Sequence, residues 1–183
     1  VGGGLALLLS PRVRARAAYR EGLRRQLGSD FVGAREQYEL CLRLDPTFAL
    51  AAFSMGTTYI GLGDPALIQS VESLVADAVR GDTRALDEAD RWFREAIRIG
   101  NSLPADQRLM DERISTPRRL AGYARACLAL TALIRASAAM QADQLDDGMA
   151  WLRRAGEEAQ GALLDDPGNS AADRVLRMVM PRL

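Results

Sequence analysis

Ala34-Arg35-Glu36-Gln37-Tyr38-Glu39-Leu40-Cys41-Leu42-Arg43-Leu44 and Ala89-Asp90-Arg91-Trp92-Phe93-Arg94-Glu95-Ala96-Ile97-Arg98-Ile99 carry one pattern twice. Each opens on alanine, places an aromatic four residues later and a small residue three beyond that, and closes on aliphatic-Arg-aliphatic. A weaker third copy runs through Ala155, Ala159 and Ala162 to Pro167, twelve residues after Ala155, as Pro46 lies twelve after Ala34. Repetition of this kind decides an architecture before any single motif does, because each unit buries its apolar face only against its neighbours. The expected fold is all-α.

The preceding segments repeat as well. Ala18, Tyr19, Gly22 and Asp30 recur 34 residues later as Ala52, Phe53, Gly56 and Asp64. In this the chain resembles the tetratricopeptide repeat family, whose unit carries a glycine, an aromatic, Ala-x3-aromatic and a closing proline. Residues 15–48 match with Gly22, Ala34, Tyr38, Cys41 and Pro46. The second unit opens with Ala52, Gly56, Tyr59 and Gly63, but its second half begins at Ala89 where Ile68 stands in register, an insertion of 21 residues. Arg25 stands where the family prefers an aromatic, and neither unit opens on tryptophan. The resemblance implies a helical-hairpin solenoid of about eight or nine helices. Its repeats fall at about 15–48, 49–101 (with the insertion at 64–87) and 117–168, and a C-terminal capping helix at 169–181 completes a single domain over 13–183.

The physical content of the pattern is close packing. Small residues at Gly22, Ala34, Gly56, Ala89 and Ala96 let helices approach, and Tyr38, Tyr59 and Phe93 fill the wider gaps. Asp45-Pro46 and Asp166-Pro167 end helices, since proline drives its predecessor out of helical geometry. Helices are expected over about 13–27, from Ser29-Asp30 to 44, 48–62, from Asp64-Pro65 to Gly81, on to Gly100, 117–142, from 146 onward and 170–180. Within the insertion, Leu67, Val71, Leu74 and Val75 form an amphipathic stripe. It is expected to pack on a neighbouring helix pair, with docking into a partner's groove as the alternative.

Composition narrows function. The chain has 183 residues, 24 basic and 24 acidic, and no histidine. Zero formal charge argues against phosphate-driven nucleic-acid binding. Lacking histidine, the chain has neither the usual general base near neutral pH nor the commonest metal ligand. Cys41 and Cys127 fall on apolar helical positions, as buried reduced thiols do. Val1-Gly2-Gly3-Gly4 has no following lysine and is no phosphate-binding loop. The sequence therefore predicts no enzyme, no cofactor and no metal; an enzyme would need acids and arginines converging in a cleft, for instance around Asp111, Glu112 and Arg118. All the basic residues are arginine, read here as the codon bias of a GC-rich, bacterial genome.

Residues 1–12 stand apart. Val1 to Leu9 is apolar and glycine-rich, and Arg12, Arg14, Arg16, Arg20, Arg24 and Arg25 follow, opposed only by Glu21. Spanning a bilayer takes about 20 apolar residues. Two readings stay open: a tail before a basic first helix, or the end of a membrane helix with arginines marking the cytoplasmic side. The expected location is the cytoplasm or the cytoplasmic face of a membrane, with the periplasm as the other compartment.

Carried onto matching positions, the family's concave face gives a partner groove of Arg16, Tyr19, Leu23 and Gln26 from the first repeat. The second supplies Leu50, Phe53, Thr57 and Ile60. Relatives that grip acidic chaperone tails use lysines and asparagines there. Here Tyr19, Leu23, Ser54 and Thr57 hold those places, so that clamp is missing. An apolar groove suits an amphipathic or extended hydrophobic segment of another protein. The expected function is a protein–protein interaction scaffold, an accessory or assembly subunit of a larger, membrane-associated complex. The alternative is a carrier of an apolar solute or lipid that works with a transporter.

Overall fold

A computed structural model describes residues 10–62 and 67–183; in the helix that begins at Leu67 the side chains are described from Val71 onward. The stretch Val1–Leu9 and the expected helix start at Asp64-Pro65 lie outside the described residues, as does the side chain of Leu67. Among the described residues there are eight α-helices and no strand. They are α1 (Pro11–Leu27), α2 (Phe31–Leu44), α3 (Ala49–Tyr59), α4 (Leu67–Val79), α5 (Arg84–Ser102), α6 (Pro117–Gln141), α7 (Leu145–Asp165) and α8 (Ser170–Val179), and a 3-10 turn, Met180–Arg182, follows. None of these helices is long and apolar enough to cross a membrane.

Local chemistry sets the ends. Ser10, Asp30, Thr116 and Asn169 each accept a backbone N–H from the first turn of α1, α2, α6 and α8, satisfying donors that the helix itself leaves open. Pro11 and Pro117 take first-turn positions, where no N–H is missed. The first helix therefore begins two residues before the expected Val13, because Ser10 is its cap. At the other ends, Ser29, Gly61, Gly81 and Asp143 adopt φ of 61°, 67°, 86° and 58°. The next N–H in each case reaches back five residues to a helix carbonyl, as from Asp30 to Arg25 and from Gln144 to Ala139, the Schellman closure.

Helices pack as α1 on α2, α3 on α5 and α6 on α7, with α8 against α7 and the pairs joined through α2–α3 and α5–α6 contacts. The sequence repeat has a direct counterpart here. A Cβ added at Gly22 would stand 2.5 Å from the Tyr38 ring, and one at Gly56 would stand 2.6 Å from the Phe93 ring. Each glycine thus opens the notch that its partner's aromatic fills. The third pair uses alanine instead. Ala126, Ala129, Ala132 and Ala136 of α6 meet Leu152, Ala155, Ala159 and Ala162 of α7.

The first and third pairs share their turns. Gly28 and Ala142 both close at φ −91°, ψ 13°, and Asp45 and Asp166 take nearly identical angles before their prolines. Between these landmarks α7 has 21 residues where α2 has 14, about two extra helical turns. The extra turns precede Ala155, so the third copy keeps its spacing to Pro167 and reads weakly because Ala159 replaces the aromatic.

The insertion helix α4 packs on α6. Leu74 is buried, and Val71 and Val75 pack into a cluster with Leu86, Phe93 and Leu128. The expected packing of this stripe on neighbouring helices is seen for Leu74, with Val71 and Val75 partly buried beside it.

Candidate functional site

One wall of the molecule is a bowl. Its lining comes from α1 (Tyr19, Leu23, Gln26, Leu27), α3 (Leu50, Phe53, Ser54, Thr57) and α6 (Tyr123, Ala126, Cys127, Leu130, Leu133). Ala171, Arg174, Val175 and Met178 of α8 add to it, as do Asp111, Arg113 and Ile114 of the α5–α6 loop. The cavity volume is about 700 Å³. The first and last helices, α1 and α8, both contribute to its lining. Six of the eight residues expected in a partner groove line this bowl: Tyr19, Leu23, Gln26, Leu50, Phe53 and Thr57.

The other two lie elsewhere. Arg16 lines a neighbouring cleft. Ile60 is fully buried among Leu74, Leu86 and Phe93, and its placement in the groove is corrected here. The reason is local: α3 ends at Tyr59, and Ile60, the C-cap at φ −105°, ψ 8°, no longer continues the helical stripe through Phe53 and Thr57.

The amide and hydroxyl groups on the α1 and α3 side of the bowl satisfy one another. Tyr38 donates its hydroxyl to Gln26 Oε1 at 2.8 Å. Gln26 Nε2 donates to Thr57 Oγ1 at 3.0 Å and to the Leu62 carbonyl at 2.7 Å. Thr57 in turn donates to the Ser54 carbonyl. A buried amide with its partners met rigidifies the wall and leaves an apolar inner surface. Burial also pushes the Tyr19 phenol and the Cys127 thiol each up to about 12, so both are neutral at physiological pH. Cys41, fully buried in the core, is likewise pushed to about 12 by burial and then by the nearby Asp45 charge.

The α5–α6 loop is ordered by its own bonds. Leu109 N–H donates to the Ser115 carbonyl, and Asp111 Oδ1 accepts from the N–H groups of Arg113 and Ile114 at 2.7 and 3.0 Å. Ile114, with Leu103 and Leu109, packs onto the core of the first two pairs. Asp111 thus caps a turn, and Arg118 donates to the Leu164 carbonyl at 2.8 Å. Asp111 and Arg118 hold structure together.

Beside the bowl lies a cleft of about 390 Å³ that includes Arg12, Arg16, Asp45, Phe48, Leu50, Gln107 and Arg108. Leu50 lines both spaces, and the Tyr19 ring of the bowl stacks on the Phe48 ring of the cleft at 5.0 Å.

A third cavity, about 520 Å³, lies between α4, α5, α6 and α7. Arg135, 7% exposed, pairs there with Asp87 at 2.6 Å and Asp90 at 3.2 Å. Its guanidinium also lies over the Trp151 ring at 5.0 Å. Buried charge of this kind is held by its partners, and here it ties the two central helices together.

Sequence reasoning missed the contributions of α6, α8 and the loop. Leu130 and Leu133 are legible as apolar helical positions, but nothing in their spacing separates a residue packed on a helix from one facing an open bowl. No protein-family profile matches the chain, and no curated protein matches it significantly.

Proposed function

We propose that this chain is a non-enzymatic binding protein, a stack of helix pairs similar to tetratricopeptide repeats, with the bowl as its binding site. A single observation carries the reading: a cavity of about 700 Å³, lined mainly by apolar side chains, in which the amide of Gln26 and the hydroxyl of Thr57 are already bonded to each other. Its volume falls in the range of about 300–1,000 Å³ that accommodates small organic ligands. A largely apolar wall rewards apolar surface and offers little to an uncharged polar guest. The absence of histidine, the protonated thiols and the structural use of Asp111 and Arg118 support binding over catalysis.

The guest that suits such a bowl is compact, because α1 and α8 both contribute to its lining and an extended peptide needs a run-through groove. The function best supported is therefore a carrier or sensor of an apolar small molecule. A second reading, a scaffold that receives an apolar segment of another polypeptide, is favoured by the bowl's open side.

The test is equilibrium binding of diphenylhexatriene, an uncharged apolar fluorophore. Leu130→Glu places a charge among the lining residues and is expected to weaken binding about tenfold or more, since an unpaired charge facing an apolar guest costs over 1.4 kcal/mol. Asp147→Asn, beside the third cavity, is expected to leave it unchanged. Undiminished binding in Leu130→Glu, with an unaltered helical spectrum, would refute the assignment.

A further inference from the structure

The charge around the bowl is not balanced as it is in the chain. The sequence holds 24 basic and 24 acidic residues, yet the bowl and its adjoining cleft are lined by Arg12, Arg16, Arg108, Arg113 and Arg174 against only Asp45 and Asp111. Both aspartates are already engaged. Asp45 Oδ1 accepts from the N–H and the hydroxyl of Thr47, at 3.0 and 2.6 Å, and Asp111 Oδ1 accepts the two loop N–H groups. Of the nineteen arginines elsewhere, twelve have a carboxylate within ion-pair distance. Arg24 and Arg25 share Glu21, Arg98 takes Glu95 and Arg125 takes Glu158 and Asp165. Among the described residues none of the five lining arginines has a carboxylate within ion-pair distance, and they come from three separate elements.

We propose that the guest is an amphiphilic carboxylate: its apolar body fills the bowl and its anionic head lies in the cleft among Arg12, Arg16 and Arg108. This rests on the bowl being the binding site and adds the chemistry of the ligand. Leu50, shared by the two spaces, marks where the body gives way to the head. Guanidinium groups suit the task because their planar donor fork matches a carboxylate. A solvent-facing cluster also draws an anion in before contact and loses that pull as salt rises.

Isothermal titration with three probes of one chain length separates the two ideas. Laurate, dodecanol and dodecylamine share a tail and differ in head charge. Laurate is expected to bind at least about tenfold more tightly than either, a preference of about 1.4 kcal/mol, and to weaken as salt is raised. In the triple variant Arg12→Gln/Arg16→Gln/Arg108→Gln that preference is expected to vanish while dodecanol affinity holds. Arg14→Gln/Arg20→Gln, which removes exposed charges outside both spaces, is expected to keep it. Equal affinity for all three probes would overturn the anionic-head inference and leave the bowl intact as a site. A laurate preference that survives the triple variant would overturn it too. Binding of none of them would defeat the bowl itself.

Discussion

Replacing Gly56 with alanine is expected to destabilise this protein, although it improves the helix. Gly56 lies inside α3, where alanine is intrinsically better by about 1 kcal/mol. Against that gain stands the ring of Phe93. The new Cβ would lie 2.6 Å from Cε1 and 2.7 Å from Cδ1 of that ring, where ordinary carbon contacts are about 3.5–4.0 Å. The ring has no room to retreat, being fully buried and packed on Phe53 with centroids 5.8 Å apart. Helix or ring must therefore shift by about 1 Å, and overpacking of this size costs about 1–3 kcal/mol. After the propensity gain the net loss is about 0–2 kcal/mol. In a chain of 183 residues that lowers Tm by up to about 8 °C. Gly100→Ala is the control, since its nearest neighbours stand at an ordinary 3.6 Å; it is expected to raise Tm by about 2 °C. Adding Phe93→Leu to Gly56→Ala relieves the overlap, so the double variant is expected to lose less than the two single losses combined. Scanning calorimetry on the four variants decides the matter. If Gly56→Ala raised Tm as Gly100→Ala does, the close approach of α3 and α5 would be wrong.

Other perturbations probe the polar interior and the thiols. Gln26→Leu strips partners from the Tyr38 and Thr57 hydroxyls and the Leu62 carbonyl, and is expected to cost about 2–4 kcal/mol in urea unfolding, against about 1 for Tyr38→Phe. Arg135→Met leaves Asp90, whose side chain is 19% exposed, without its cation; a loss of roughly 2 kcal/mol is expected, below the fully buried case because Asp87 is mostly exposed. Stability is expected to fall as pH rises from 9 towards 12. The thiols of Cys41 and Cys127 ionise at 9.0 when unburied and at about 12 in the fold, so in that window the folded chain holds protons that the unfolded chain has lost. Chemical denaturation at pH 8 and pH 10.5 tests this, and Cys127→Ala is expected to flatten the slope.

The helical fold was legible because the repeat is a packing code. Gly22 with Tyr38 and Gly56 with Phe93 are the same notch and plug, and the notch shows in sequence as a small residue at fixed spacing. The third pair read weakly, since Ala159 stands where the other copies carry an aromatic. In the candidate site, six groove positions on α1 and α3 could be read from the repeat. Ile60 could not, because its placement depends on where α3 ends. Of the five lining arginines only Arg16 was read from the repeat, and their gathering was beyond reach for another reason. They stand at 12, 16, 108, 113 and 174, and only tertiary folding brings those positions to one rim.

The most direct test of the central claim is an intermolecular NOE experiment on methyl-labelled protein with bound laurate. One guest in the bowl must touch α1, α6 and α8 together, so cross-peaks are expected from the acyl chain to methyls of Leu23, Leu130 and Val175, which all line that space. Cross-peaks confined to methyls around the third cavity, such as Val79 and Ala138, or their absence from all three bowl residues, would contradict it.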